Sequence, residues 1–152
     1  MKYYFLSHQN LKEGSVIHPG AWGYAVINTP GHRYLKMERQ FEAVRLSIDQ
    51  NLPSRLTSVF LFDNYTMATK FQVLQRPKDS LYEVSIRDGS TPTHVADMML
   101  VHPELEQWNA EWGNPRLYWE SANIEETAFR EVLTTSPAEV IRKINDGLTV
   151  AS

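Results

Sequence analysis

Apolar residues in this sequence are packaged in two ways, and the mixture narrows the fold more than any other property. Over residues 36–50, Met37, Phe41, Val44 and Ile48 fall at i, i+4, i+7 and i+11. Glu38, Arg39, Glu42, Arg45 and Asp49 fill the gaps, which is the pattern of an amphipathic helix. Elsewhere the apolar runs are of strand length and end at glycine, proline, aspartate or asparagine. Several short strands with a few helices predict one α+β domain over residues 1–152.

Residues 2–7 form an aromatic-rich run that ends at His8 and reads as a first strand. Residues 10–17 hold Gly14 and read as a turn leading into His18-Pro19-Gly20. Glycine and proline breaks over 20–31 leave room for at most a short strand at Tyr24 to Ile27 in an otherwise mobile loop. After the break at Pro53-Ser54, Arg55 opens a second apolar strand over 56–62, and Asn64 caps a helix whose Met67, Ala68, Phe71 and Leu74 share a face. Residues 80–86 and 93–101 read as strands joined through the Arg87-Asp88-Gly89-Ser90 turn. Residues 103–115, with Trp108 and Trp112, suggest a helix folded over the sheet. Tyr118-Trp119 and a late strand over 129–134 bracket the acidic stretch 120–126. Ser136-Pro137-Ala138-Glu139 has the form of a capping box ahead of Val140, Ile141 and Ile144, so a final helix is expected there.

Composition removes several chemistries. The absence of cysteine excludes a disulfide scaffold, a thiolate zinc site and a cysteine nucleophile. No run approaches the ~18 apolar residues of a membrane span, so a soluble cytoplasmic protein with no membrane partner is the expectation. A net charge of -3 lacks the basic excess of a nucleic-acid coat, although it does not exclude an enzyme that visits nucleic acid. The histidines, His8, His18, His32, His94 and His102, show no metal-ligand spacing, so no metal is expected. Phosphate-binding glycine loops and nucleophile-elbow serines are missing as well.

Three separate segments carry what remains. FLSHQNL ends the first strand at His8, VFLFDNYTMATKF carries Phe60 and Phe71, and REVLTTSPAEVI carries Glu131 near its head. In order and spacing they resemble the ADP-ribosyltransferase superfamily, in its diphtheria-toxin and PARP-like branch and, at the two ends, its DarT-like branch. The resemblance implies a split antiparallel β-sheet core with flanking helices, and NAD as co-substrate. It implies that His8 binds the ribose, that Phe60 and Phe71 sandwich the nicotinamide, and that Glu131 is catalytic. Two departures stand out: phenylalanines replace the usual tyrosines, and Phe129 stands two residues before Glu131, where arginine-modifying members carry an acidic or amide residue.

The residue types also suit the reaction on their own. Cleavage of the nicotinamide–ribose bond passes through an oxocarbenium-like state, which a carboxylate stabilises. A cationic pyridinium favours aromatic faces. A pyrophosphate favours a guanidinium, for which Arg55, Arg39 or Arg45 is available. Trp119 and Phe129 flank Glu131 on the acceptor side in this picture and would stack a base or a protein side chain. The expected activity is therefore mono-ADP-ribosyl transfer to a macromolecular acceptor, nucleic acid or protein, with release of nicotinamide. The alternative is a catalytically inactive module of the same fold that binds a protein through Trp108, Trp112 and Trp119. An RNA 2′-phosphotransferase would need a set of arginines and histidines that is not evident.

Overall fold

The computed structural model describes residues 1–101 and 114–148. Two antiparallel sheets form its centre. In the first, β1 (Tyr3–Ser7), β4 (Ser80–Ile86), β7 (Ala138–Asn145) and β2 (Val16–Ile17) lie in the order β1-β4-β7-β2. The second runs β3 (Val59–Leu61), β6 (Arg130–Thr134), β5 (Thr93–Asp97). The sheets touch edge to edge at one bridge, where Tyr4 and Phe62 exchange backbone hydrogen bonds of 2.8 and 2.9 Å.

Alternation along the strands of the second sheet decides what each face meets. Val59, Leu61 and Val132 point to the first sheet and pack with Tyr82, Val84, Ala138 and Val140. Ala96 and Leu133 point the other way, with half-buried Phe60 beside them, onto Met37 and Phe41 of α2 (Leu35–Ile48) and Tyr118 and Trp119 of α4 (Pro115–Trp119). Register pairs Phe60 and His94 with Leu133, and Ala96 with Glu131, so Glu131 belongs to this helix-covered face. A third cluster, with Phe62, Phe71, Met98 and Phe129, lies under α3 (Tyr65–Gln75). Burying a side chain such as Phe41, 1 % exposed, is worth about 1.5–3 kcal/mol. Asn64 caps α3 as expected, its Oδ1 accepting from the Met67 N–H at 2.9 Å.

Four expectations are corrected. Tyr24 to Ile27 is not a strand but part of α1 (Ala21–Asn28), which starts after Gly20 at φ 100°. Gly23 explains the helix: a Cβ there would lie 1.9 Å from the Leu56 carbonyl oxygen, so only glycine lets α1 sit directly on the backbone of the 3-10 turn Arg55–Thr57. That turn, in its place, takes the start of the strand expected over 56–62. The helix expected after Ser136-Pro137 is the strand β7, because pairing with β4 on one side and β2 on the other outweighs the capping signal. The strand expected over 93–101 ends at Asp97, whose side chain accepts from the Met99 N–H and starts the 3-10 turn Met98–Leu100. The helix expected over 103–115 falls almost wholly outside the described residues, as do His102, Trp108 and Trp112.

Candidate functional site

The site begins with charge placed where the helical period alone would not put it. Glu38, on α2, is on the Phe41 side of the helix and is fully buried. Ser54 starts the 3-10 turn, its Oγ accepting from the Leu56 N–H at 3.1 Å, and the turn throws the Arg55 side chain inward, 4 % exposed. Strand alternation on β6 brings Glu131 to the same point, and α4 brings Tyr118.

There the groups interlock. Arg55 Nε donates to both oxygens of Glu38, at 2.9 and 3.1 Å. Its Nη1 donates to Glu131 Oε1 at 2.7 Å and to the Tyr118 hydroxyl at 2.7 Å, and that hydroxyl donates to the same Glu131 oxygen at 2.9 Å. The Trp22 indole N–H completes Glu38 at 3.1 Å. The Arg55 guanidinium carbon stands 5.0 Å from the Phe60 ring centre and 5.2 Å from that of Tyr118, so the cation is held by ring faces as well as by carboxylates.

Burial works against the Arg55 charge, yet Tyr118, Glu38 and Glu131 around it raise its pKa well above the ordinary arginine value. For Tyr118, burial and the Glu131 carboxylate outweigh Arg55 and raise the phenol pKa well above that of free tyrosine, which keeps the O–H as a donor. The unit is formally two carboxylates around one guanidinium, an excess of one negative charge in a low-dielectric setting.

Two members of this unit, Arg55 and Glu131, line a pocket of about 410 Å³. They do so together with Trp22 and Tyr34 on one wall and Phe60 and Phe71 among the other rings. Among the described residues, no hydrogen bond reaches Glu131 Oε2 or Arg55 Nη2, and no fully enclosed side-chain polar atom lacks a partner. Both atoms therefore keep some accessible surface, and both residues line the pocket. One acceptor and one donor are left for a ligand there.

Of the residues singled out in the sequence, Arg55, Phe60, Phe71 and Glu131 meet in this pocket. Phe60 carries the Arg55 guanidinium, and Phe71 lies against Phe62 and Phe129 with ring centres 5.3 Å away. His8 is exposed just past β1 and is not among the lining residues, which include His18 instead. Trp119 and Phe129 are core: the Trp119 indole N–H donates to the Phe41 carbonyl at 2.8 Å, and Phe129 is 4 % exposed. Arg45 is engaged by Glu42 and by the carbonyls of Gln50 and Leu52, which closes the end of α2. Arg39 lies in a shallow groove with His32, Lys36 and Gln40, outside the pocket.

Sequence reasoning missed Glu38, Tyr118, Trp22 and His18. A signal for Glu38 was present: with Phe41 and Arg45 it stands at i, i+3 and i+7, so the helix face that buries Phe41 also carries two charges.

Fold and site thus define an α+β protein with two antiparallel sheets and a buried carboxylate–guanidinium unit, of which Arg55 and Glu131 line one pocket. The chain belongs to the family described as "Protein of unknown function (DUF2441)", whose model matches residues 23–146. That stretch contains Glu38, Arg55, Phe60, Phe71, Tyr118 and Glu131. Comparison with curated proteins gives no match. No helix among the described residues is long and apolar enough to cross a membrane, and none of their His, Asp and Glu side chains gather in a group of three able to hold a metal ion.

Proposed function

We propose that this protein is an NAD-dependent mono-ADP-ribosyltransferase on an ADP-ribosyltransferase-like split sheet, with Glu131 as its catalytic carboxylate. One observation carries the reading: Arg55, Phe60 and Phe71, on three successive elements, and Glu131, far along the chain, line a single pocket in which one Glu131 oxygen is unbonded. In the reaction the bond between ribose C1 and the nicotinamide nitrogen breaks, and its electron pair neutralises the pyridinium. Glu131 Oε2 hydrogen-bonds a ribose hydroxyl and faces the positive charge that develops on the sugar. The acceptor nucleophile then bonds to C1 and gives up its proton. The negative excess of the Glu38–Arg55–Glu131 unit favours a cationic ring and an oxocarbenium over neutral competitors. Two carboxylates already compensate Arg55, so the diphosphate falls to the other basic side chains that line the pocket, His18 and Arg76, the latter paired, among the described residues, with a single carboxylate, Asp79, at 3.4 Å.

The test is release of nicotinamide from NAD. Glu131→Gln is expected to lower it by at least about a hundredfold while leaving the fold intact, because the change removes the excess charge without stranding Arg55. Turnover within a fewfold of the parent in that variant would overturn the assignment. A second reading, a module of the same fold that binds without turnover, draws on the fact that Glu131 is paired with Arg55 and Tyr118 in the manner of a structural ion pair. Calorimetric binding of NAD without nicotinamide release would select it.

A further inference from the structure

We infer that Glu38 is a positioning residue of this site: by holding Arg55 through Nε, it stops Arg55 and Glu131 from closing on each other and keeps one oxygen and one nitrogen free for a ligand. The inference deepens the reading above, and its kinetic test rests on that reading.

A guanidinium beside a lone carboxylate settles into a two-pronged pair, with two N–H groups on two oxygens. Here Arg55 and Glu131 make only one contact, Nη1 to Oε1 at 2.7 Å. The geometry behind it gives the reason. Glu38, fully buried on α2, takes the Nε–H with both of its oxygens, and the Tyr118 hydroxyl sits between Nη1 and Oε1, bonded to each. The guanidinium is thereby held through Nε and Nη1 at once, with the Tyr118 hydroxyl sharing both Nη1 and Oε1, and Nη2 makes no bond to Glu131 Oε2. Glu38 is not among the lining residues, so its effect reaches a ligand only through Arg55 and Glu131. It also reaches the pocket wall, because the Trp22 indole that lines the pocket donates to Glu38 Oε1. Wall and carboxylate are thus tied to one buried group.

With glutamine at position 38, Arg55 keeps one full carboxylate partner, and the two-pronged pair with Glu131 becomes its best arrangement. Both free atoms are then consumed. Glu38→Gln is expected to fold and to lower kcat for nicotinamide release by tenfold or more, with KM for NAD changed by less than about threefold. Glu38→Asp, which restores the charge on a shorter arm, is expected to recover part of the loss. A folded Glu38→Gln with the parent kcat would overturn the inference.

A second measurement does not depend on turnover. In ¹⁵N-labelled protein, with the Trp22 indole signal assigned through Trp22→Phe, Glu131→Gln is expected to move that signal, because Trp22 and Glu131 communicate through Glu38 and Arg55. An unmoved indole signal overturns the inference. If the parent protein releases no nicotinamide, the reaction proposal falls, and the indole measurement alone decides the role of Glu38.

Discussion

His94 shows how a single residue on the helix-covered face sets an acid limit. Its Nε2 lies 3.1 Å from the Tyr118 carbonyl oxygen, to which an Nε2–H donates, and its ring lies 5.0 Å from that of Trp119. Burial lowers its pKa below the ordinary 6.5, against the opposing pull of that carbonyl and of Glu131. The sign follows from linkage. Above about pH 6.5 both folded and unfolded chains carry neutral His94, and its contribution is complete. As pH falls below that value the unfolded chain binds a proton that the folded chain refuses, and stability drains away until the lowered folded-state pKa is reached. The slope from this residue is at most about 1.4 kcal/mol per pH unit. Thermal melts between pH 7.5 and 5 are expected to fall more steeply for the parent than for His94→Gln, which keeps an N–H donor without a titrating ring. Equal slopes would contradict this account.

At the scale of elements, α1 depends on the absence of one side chain. Gly23→Ala would gain about 1 kcal/mol of helix propensity, but its methyl would meet the Leu56 carbonyl, a backbone group that cannot step aside. A net loss of about 1–3 kcal/mol is expected, measured by urea denaturation, together with a change in Trp22 fluorescence as the helix lifts. This helix was not legible in the sequence, because Gly20, Gly23 and Pro30 read locally as breakers while the contact that turns Gly23 into an asset is with a residue far along the chain. Elements whose period survives burial were legible: α2, α3 with its Asn64 cap, and β6, which spans Arg130–Thr134. β7 was misread because Val140, Ile141 and Ile144 satisfy a helical spacing, whereas in the strand Val140 is buried and Ile141 is 42 % exposed. Of the candidate site, Arg55, Phe60, Phe71 and Glu131 were legible, Trp22 and His18 were not, and the support was hidden: a carboxylate near the edge of an amphipathic helix is read as solvated until Arg55 is seen to reach it.

Over the whole molecule, the buried charges act as a tie. Glu38 on α2, Arg55 on the 3-10 turn, Tyr118 on α4 and Glu131 on β6 are separate in sequence and meet in one network. Arg55→Met would leave two buried carboxylates facing each other without a cation, and a loss of about 3–5 kcal/mol in unfolding free energy is expected. Adding Glu38→Gln and Glu131→Gln to that variant is expected to return most of it, since a neutral polar or apolar set avoids the desolvation of charge. Chemical denaturation of the single and triple variants measures both. A triple variant no more stable than the single would show that the network stabilises through packing and not through charge balance.

The strand order has a kinetic consequence of its own. Val16 pairs with Glu139, Tyr3 with Val84 and Val59 with Thr134, so neither sheet is assembled from neighbouring hairpins alone. Each such pairing closes a long loop before it is rewarded by contact, which places chains of this kind among those that fold in milliseconds to seconds and not in microseconds. Until β7 docks between β4 and β2, both strands keep an unpaired edge, and the nascent protein passes through a stage in which self-association competes with its own completion.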